Sequence, residues 1–213
     1  MLIKDIMTDA VIAIGPDMPI VDAASMMQLR KIQHFPVMDK EGQLVGIVSD
    51  RDILIIGSEH ADAPAGLSIK DPIKKVMTTN IKTCQPDNPI EEVAKRMLEL
   101  NIGSMPVVKN SKLVGIVTAK DFLKSVEKIM GGAEETIRLE IEVDNRPGAL
   151  AELLVFLAKR SVNVLGVMTS FIDNDLVCFV LRVVCKQPQE LIEALREADF
   201  HVTWPNNSLA HSA

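Results

Sequence analysis

The sequence predicts an α+β protein in which two copies of one β-α-β-β-α unit precede a separate β-α-β-β-α-β unit. The first observation behind this prediction is a duplication, because residues 3–54 are repeated at residues 73–123. Seven positions of the first copy recur 70 residues later, in the second copy: Met7, Pro16, Pro19, Ala24, Met27, Ile32 and Pro36 match Met77, Pro86, Pro89, Ala94, Met97, Ile102 and Pro106. The second observation is a change of pattern after Gly131-Gly132. Duplicated units pack against each other, so a ligand cleft is expected between the copies.

Each copy predicts the same elements in the same order. A short helix precedes a strand, then an amphipathic helix that opens at a proline, then two strands and a closing helix. In the first copy these are helix 3–7, strand 11–14, the helix opening at Pro19, and strands 35–38 and 44–48. In the second copy they are helix 73–77, strand 81–84, the helix opening at Pro89, and strands 105–108 and 113–117. The predicted domains are 1–60 and 70–130, joined by a small-residue linker at 57–68.

The composition excludes several classes of protein. The net charge is −6, whereas nucleic-acid-binding proteins usually have an excess of basic residues, so the charge argues against nucleic-acid binding. No apolar run reaches the ~18 residues of a membrane helix and no secretory pattern opens the chain, so a cytoplasmic location is expected. Three cysteines without a CxxC pair and four scattered histidines predict neither a disulfide framework nor a metal site.

The remaining chain predicts a third domain at residues 135–206 and a flexible tail at 207–213. Residues 136–143 alternate apolar and charged side chains, as in a half-buried strand. A D-N-R-P-G turn then leads into a leucine-rich helix. Strands at 162–171 and 176–184, a helix at 189–198 and a strand at 200–203 follow. This order is the ferredoxin-like plan.

The strongest chemical pattern occurs where a buried strand meets a helix in both copies. Ser49 and Asp52 end one G-h-x-h-[ST]-x-x-D segment, and Thr118 and Asp121 end the other. A hydroxyl with an acid three residues later is a helix capping box. A basic residue beside it, Arg51 or Lys120, adds a full positive charge to a helix start, which suits an anion. Together these groups fit a sugar-phosphate ligand.

These segments occur in both copies together with an M-T start, a helix-opening proline and an h-P-V strand, where h is a hydrophobic residue. In these features residues 1–129 resemble a tandem pair of cystathionine-β-synthase (CBS) domains. Such pairs commonly bind AMP, ADP, ATP or S-adenosylmethionine as regulatory ligands. The resemblance implies nucleotide-binding roles for ten residues: Ser49, Arg51, Asp52, Thr118, Lys120, Asp121, Ile12, Lys82, His34 and Ser104. The aspartates would hold the ribose hydroxyls, the hydroxyls of Ser49 and Thr118 with Arg51 and Lys120 would face phosphates, and the backbone near Ile12 and Lys82 would frame the adenine. His34 is equally explained as an ordinary residue at the start of a strand. The pattern departs from the family at Gln33 and Gly103, where members often carry a basic residue.

Residues 135–204 resemble an ACT domain through D-x-x-P-G-x-L and x-V-N-V. The resemblance implies side-by-side pairing into a homodimer and amino-acid binding at Asn145, Arg146, Gly148 and Asn163. Turn formation and strand initiation alone also explain these residues. The order CBS–CBS–ACT resembles B-type acetoin-utilisation proteins.

The leading hypothesis is a regulatory sensor in which adenine nucleotides bind the CBS clefts and bias a partner enzyme or the ACT dimer. The alternative is an amino-acid sensor that uses the ACT half, with the CBS pair as a dimerisation module. An enzyme is disfavoured, because the sequence shows no activated nucleophile pattern and no convergent acid–base pair. No cofactor is expected beyond the regulatory nucleotide.

Overall fold

The computed structural model describes residues 1–56, 66–129, 136–171 and 175–205. It divides into two compact units, Met1–Leu123 and Lys124–Ala213. The predicted linker at 57–68 falls largely outside the described residues, and the Gly131-Gly132 boundary and the tail at 207–213 fall wholly outside them. None of the helices in the described ranges has the length and apolar character needed to cross a bilayer.

The two copies in the first unit fold alike. The first contains a 3-10 helix, helix α1, strands β1 and β2 and helix α2: Ile3–Asp5, Ile20–Arg30, His34–Met38, Leu44–Ser49 and Asp50–Leu54. The second contains a 3-10 helix, helix α3, strands β3 and β4 and helix α4: Ile73–Lys75, Ile90–Glu99, Ser104–Lys109, Lys112–Thr118 and Ala119–Ile129. Each strand pair is an antiparallel hairpin with one irregularity of register. Pro19 and Pro89 serve as N-caps of α1 and α3 rather than as first-turn residues.

The strands predicted at 11–14 and 81–84 are wrong, since each is reduced to one parallel bridge, Ile14 to Val37 and Cys84 to Val107. Ile14 N donates to Pro36 O at 3.0 Å, and Ile14 O accepts from Met38 N at 2.9 Å. The next rungs would need the N–H groups of Pro16 and Pro36, which proline lacks. Proline stops the second ladder in the same way, at the corresponding positions of the second copy.

The N-terminal segments of the two copies are exchanged. Ile3, Ile6 and Met7 pack in the core of the second copy. Ile73, with Val76 and Met77, packs in the core of the first copy. Each exchanged 3-10 helix donates two backbone hydrogen bonds of 2.8–3.0 Å to the proline-containing turn before α1 or α3 of the other copy: Ile3 N to Asn88 O, Lys4 N to Pro86 O, Ile73 N to Met18 O and Lys74 N to Pro16 O. Neither copy can therefore complete its core without the other.

The second unit has the predicted β-α-β-β-α-β order. Its elements are strand β5, helix α5, strands β6 and β7, helix α6 and strand β8: Thr136–Asp144, Ala149–Lys159, Asn163–Phe171, Leu176–Val184, Pro188–Glu197 and His201–Trp204. All pairings in the sheet are antiparallel, in the order β6-β7-β5-β8. Leucines of α5 and α6 pack on alternate residues of β5 and β7 to form the core. Strands β6 and β8 are the sheet edges.

Candidate functional site

The predicted capping box is present at the junction of β2 and α2. The Ser49 Oγ accepts a hydrogen bond from Asp52 N at 3.3 Å. Asp52 Oδ2 in turn accepts from Ser49 N and from Ser49 Oγ, both at 2.7 Å. These bonds hold one carboxylate oxygen at the start of α2, while Asp52 Oδ1 takes part in neither.

The second copy repeats this arrangement where β4 meets α4. Asp121 Oδ2 accepts from Thr118 N at 2.9 Å and from Thr118 Oγ1 at 2.7 Å. The Asp121 residue is only 8% exposed, whereas Asp52 is half-buried. The two aspartates thus share a local structure but differ in how much of the carboxylate a ligand can reach.

A cavity of about 440 Å³ lies in the first unit between the two copies. This volume falls in the range of small-molecule sites. Eight of the ten residues predicted for nucleotide binding line this cavity together: His34, Ser49, Arg51, Asp52, Lys82, Ser104, Thr118 and Lys120. The other two lie outside its lining. Ile12 packs against the core of the first copy, and Asp121 is buried behind Thr118.

The exchanged segment explains why Lys82 lies in the same cavity as Ser49. Thr78 pairs with Ile47 of β2 through Thr78 N to Ile47 O at 2.8 Å and Ile47 N to Thr78 O at 3.0 Å. The chain then runs along the cavity wall through Asn80 and Lys82, whose side chains are joined by a hydrogen bond of 3.0 Å. The second copy's N-terminal segment therefore completes a wall that the first copy begins.

The cavity contains charges of both signs. Arg51, Lys82 and Lys120 contribute cationic side chains, and Asp50 and Asp52 contribute carboxylates. Carboxylates are hydrogen-bond acceptors for hydroxyl groups, and cations pair with phosphates or other anions. A ligand that carries both hydroxyls and an anionic group can satisfy both sets at once.

His34 lies where the two copies meet. A Cβ atom on Gly103 would stand 3.3 Å from His34 Nε2, so the imidazole packs directly against the backbone of the second copy. Burial lowers the pKa of His34 below its usual 6.5, and the nearby charges of Asp50 and Asp52 act in the opposite direction. The side chain is therefore neutral at pH 7.

Several lining residues escaped the sequence analysis. Asn80 and Asn101 line the cavity but belong to no motif of the sequence, while Ile47 and Thr78 belong to the strand motif and the M-T start without having been predicted to line it. The recurrence of the M-T start in both copies was the one available signal for Thr78. Its pairing with Ile47 depends on the exchange of segments, which no local pattern reveals.

In the second unit the structure separates the residues predicted for amino-acid binding. Arg146 forms a two-bond ion pair with Glu152, with Nη1 to Oε1 at 2.8 Å and Nη2 to Oε2 at 2.7 Å. This hydrogen-bonded pair raises the pKa of Arg146 and lowers that of Glu152. Gly148, at φ +93°, precedes α5 as its N-cap in a conformation that favours glycine.

Asn163 lines a different cavity, of about 550 Å³, between the start of β6 and the start of α6. Neither Asn145, Arg146 nor Gly148 is among its lining residues. Asn163 pairs with Val184 at one end of β7, whereas Asp144, which precedes Asn145, pairs with Leu176 at the other end. Within one copy of the chain these residues therefore lie far apart, and a site formed by them between two copies stays a prediction.

Comparison with curated proteins identifies two kinds of relative. The chain is 34% identical over 132 residues to L-aspartate semialdehyde sulfurtransferase of Methanocaldococcus jannaschii, covering 62% of this chain and 23% of that enzyme. It is 31% identical over 119 residues to the CBS domain-containing protein YhcV of Bacillus subtilis, covering 56% of this chain and 81% of YhcV. The chain thus spans about a quarter of the first of these relatives, whose name describes the whole enzyme.

Solved structures match the same part of the chain. A CBS domain pair in complex with 5′-methylthioadenosine and S-adenosyl-L-methionine superposes with a TM-score of 0.52 at 34% identity, over 60% of this chain and 97% of that one. A putative acetoin utilization protein (AcuB) from Vibrio cholerae gives a TM-score of 0.53 at 30% identity, over 63% of this chain and 98% of that one. The CBS domain family matches residues 3–59 and 73–128, more than half of the sequence. The chain therefore belongs to the CBS domain family.

Proposed function

We propose that this chain is a regulatory sensor that binds an adenosine ligand in the cavity between its two CBS domains. The observation that carries the proposal is the assembly of Ser49, Asp52, Thr118 and Lys120 around one cavity. A related CBS pair at 34% identity was solved with 5′-methylthioadenosine and S-adenosyl-L-methionine, which are both adenosine compounds. That likeness supports the same ligand class here.

In this proposal each part of the ligand contacts a different set of residues in the cavity. Asp52 Oδ1 accepts from the ribose hydroxyls, while Oδ2 remains bonded to Ser49. The backbone of residues 78–82 frames the adenine. Arg51 and Lys120 pair with phosphate when the ligand carries it. The partner that responds to the bound state is a regulated enzyme, which by analogy with AcuB belongs to acetoin utilisation.

A thermal-shift panel tests the ligand class directly. AMP, ADP, ATP, S-adenosylmethionine, 5′-methylthioadenosine and the twenty amino acids are added separately to the purified chain. A ligand at about 100 times its Kd stabilises the native state by about 2.7 kcal/mol, so we expect a rise of several degrees in Tm with at least one adenosine compound. A response to amino acids alone would contradict this proposal and favour the amino-acid sensor.

We further propose that the second unit, as an ACT domain, joins two copies of the chain through strand β6. This nine-residue edge strand contains neither a charge nor a proline. Leu165, Val167 and Met168 are 46%, 38% and 39% exposed. A long, uncharged, apolar edge strand pairs readily with another strand, and natural monomers usually protect such edges.

The double change Val167→Lys with Met168→Lys is expected to convert a dimer into a monomer, because antiparallel pairing of two β6 strands brings these lysines close together. The mass in solution is measured by light scattering coupled to size-exclusion chromatography. Val155→Lys is the matched control, since Val155 is an exposed apolar residue of α5 at 52%. A dimer that survives the β6 change but not the α5 change would place the interface on the helices.

A further inference from the structure

The sheet of the second unit has one side on which neither helix of that unit packs. Helices α5 and α6 both lie on the other side, against the alternate residues of β5 and β7 that form the core. The residues between those core positions therefore point to the opposite side, here called the open face. Met168 and Trp204 are 39% and 36% exposed there. The side chains of the open face that matter below are Arg138, Glu140, Glu142, Met168, Arg182 and Trp204.

The charges of the open face are ordered along the strands. Arg138 of β5 lies opposite Arg182 of β7 at one end. Glu142 lies opposite Cys178 at the other end, and Glu140 stands between the two ends. The two arginines and two glutamates sum to zero charge, so the face as a whole matches neither a strongly acidic nor a strongly basic partner. It matches a surface that carries the same two ends in the reverse order.

Arg182 is the charge of this face that one copy of the chain leaves unsatisfied. Arg138 forms an ion pair with Glu140, and the Oε2 atom of Glu142 contacts His201 Nδ1 at 2.9 Å. The Nε atom of Arg182 is buried, yet it has no hydrogen-bond partner among the described residues. A buried donor without a partner is unfavourable, and so are like charges opposite each other on neighbouring strands. A carboxylate from outside the chain would relieve both costs.

A second copy of the chain supplies that carboxylate when two open faces stack. A two-fold axis that runs across the strands at the level of Val180 and Glu140 turns each face end for end. The arginine end of one copy then lies over the Glu142 end of the other, and the same contact occurs twice. Packed sheets lie about 10 Å apart, a gap that side chains from both faces fill, and Met168 and Trp204 supply apolar area to it.

We propose that the open face of the second unit is an interaction surface for a second copy of the chain, in which Arg182 of each copy pairs with Glu142 of the other. This surface is distinct from the β6 edge. Side-by-side pairing through β6, about an axis perpendicular to the sheet, leaves both open faces on the same side of the joined sheet. A chain that uses both surfaces therefore forms a tetramer with two kinds of contact.

Charge reversal at the two ends tests the surface. Arg182→Glu and Glu142→Arg each bring like charges together between the copies, so each is expected to weaken this association at least about tenfold and to lower the mass in solution. The double variant restores opposite charges, and with them the mass. Positions 142 and 182 are four residues apart along the strands, about 13 Å at about 3.3 Å per residue, so the restored pair must join two chains. Light scattering coupled to size-exclusion chromatography measures the mass.

Matched controls carry the same changes of charge on the helices. Lys159→Glu on α5 and Glu193→Arg on α6 alter exposed residues of the two helices that cover the other side of the sheet, so they should leave the mass unchanged. Arg182→Gln is a milder variant for the case that Arg182→Glu fails to fold. It removes the charge without introducing repulsion, and it is expected to weaken the association by a smaller factor than charge reversal does.

Trp204 gives a second readout, because it is the one tryptophan of the sequence and lies on the open face opposite Glu140. We expect its emission to shift to shorter wavelength as the wild type is concentrated, and to stay unshifted in Arg182→Glu. Val167→Lys changes β6 on the other side of the sheet and should leave this shift intact. Equal masses in the wild type, both single reversals and the double variant would overturn the proposal. Identical Trp204 spectra in the wild type and Arg182→Glu at every concentration would overturn it as well.

Discussion

Asp52→Ala is expected to weaken the binding of adenosine ligands by about 10- to 100-fold, whereas Asp121→Ala changes it only a few-fold. The reason is that Asp52 lines the cavity and Asp121 does not. A hydrogen bond to a charged group, such as one from a ribose hydroxyl to the Asp52 carboxylate, contributes about 1.5–3 kcal/mol to binding. Titration calorimetry with 5′-methylthioadenosine measures the effect without a contribution from phosphate.

The two variants are matched because each removes the acid of a capping box. Asp52 Oδ2 and Asp121 Oδ2 both accept from the backbone N and the hydroxyl of the residue three positions earlier. Each substitution is therefore expected to destabilise the fold by about 1 kcal/mol, with a somewhat larger cost at the more buried Asp121. Thermal melts separate this cost from the loss of affinity.

Asp52→Asn refines the same test. Asparagine keeps the shape of the side chain, but its amide offers one accepting oxygen in place of two. We expect Asp52→Asn to retain most of the fold stability that Asp52→Ala loses. We expect it to retain little of the wild-type affinity for adenosine ligands. An equal loss of affinity in the Asp52 and Asp121 variants would contradict the assignment of the ribose to this cavity.

Gly46→Ala is expected to destabilise the CBS pair by about 1–3 kcal/mol, the usual cost of overpacking a core. A Cβ at position 46 would lie 2.3 Å from Met77 Sδ and 2.9 Å from Met77 Cγ, so the Met77 side chain would have to change rotamer or the exchanged segment would have to shift. Chemical denaturation measures the loss of stability. Because Thr78 follows Met77 and lines the cavity, the affinity for adenosine ligands should also fall.

A double-mutant cycle that combines Gly46→Ala with Met77→Ala tests whether the contact between these two residues causes the loss of stability. Truncating Met77 removes Sδ and Cγ, the two atoms that the new methyl group would meet at less than 3.0 Å, so the two changes should couple by at least about 1 kcal/mol. Gly15→Ala is the control, because a Cβ there meets nothing within 4 Å. Additive effects of Gly46→Ala and Met77→Ala would show that the two residues do not pack together in solution.

The second copy offers an independent check of this packing. A Cβ at Gly115 would lie 2.6 Å from Met7 Sδ, but also 3.2 Å from the backbone oxygen of Thr8. Each glycine keeps one contact of 3.2 Å after its methionine is truncated, to Met77 Cβ at Gly46 and to Thr8 O at Gly115. Shortening Met7 should therefore rescue Gly115→Ala to a similar extent as the change at Met77 rescues Gly46→Ala.

Local features were predictable because their causes lie within a few residues. The capping box of Ser49 and Asp52 depends on residues three apart, and the structure contains it. The β-α-β-β-α-β order of the second unit follows from local periodicity, and the structure contains that order as well. The duplication predicted a cleft between the copies, and the cavity at Ser49 and Thr118 lies there.

The predicted strand at 11–14 shows the limit of this approach. Pro16 and Pro36 are both visible in the sequence, but their effect depends on Ile14 lying beside Val37 in a parallel pairing. Only that pairing makes the missing N–H groups matter. The run of four apolar residues in this segment carried no information about its partner.

The sequence by itself determined the duplicated unit, the helix caps and the set of polar side chains available for a ligand, because each depends on local spacing and composition. Only the tertiary structure decided which of those side chains meet. It exchanges the N-terminal segments, seats Met77 against Gly46, and so brings Lys82 to the cavity that Asp52 lines while Asp121 stays buried. Such contacts join residues that are distant along the chain, and their choice depends on how both copies complete their cores together.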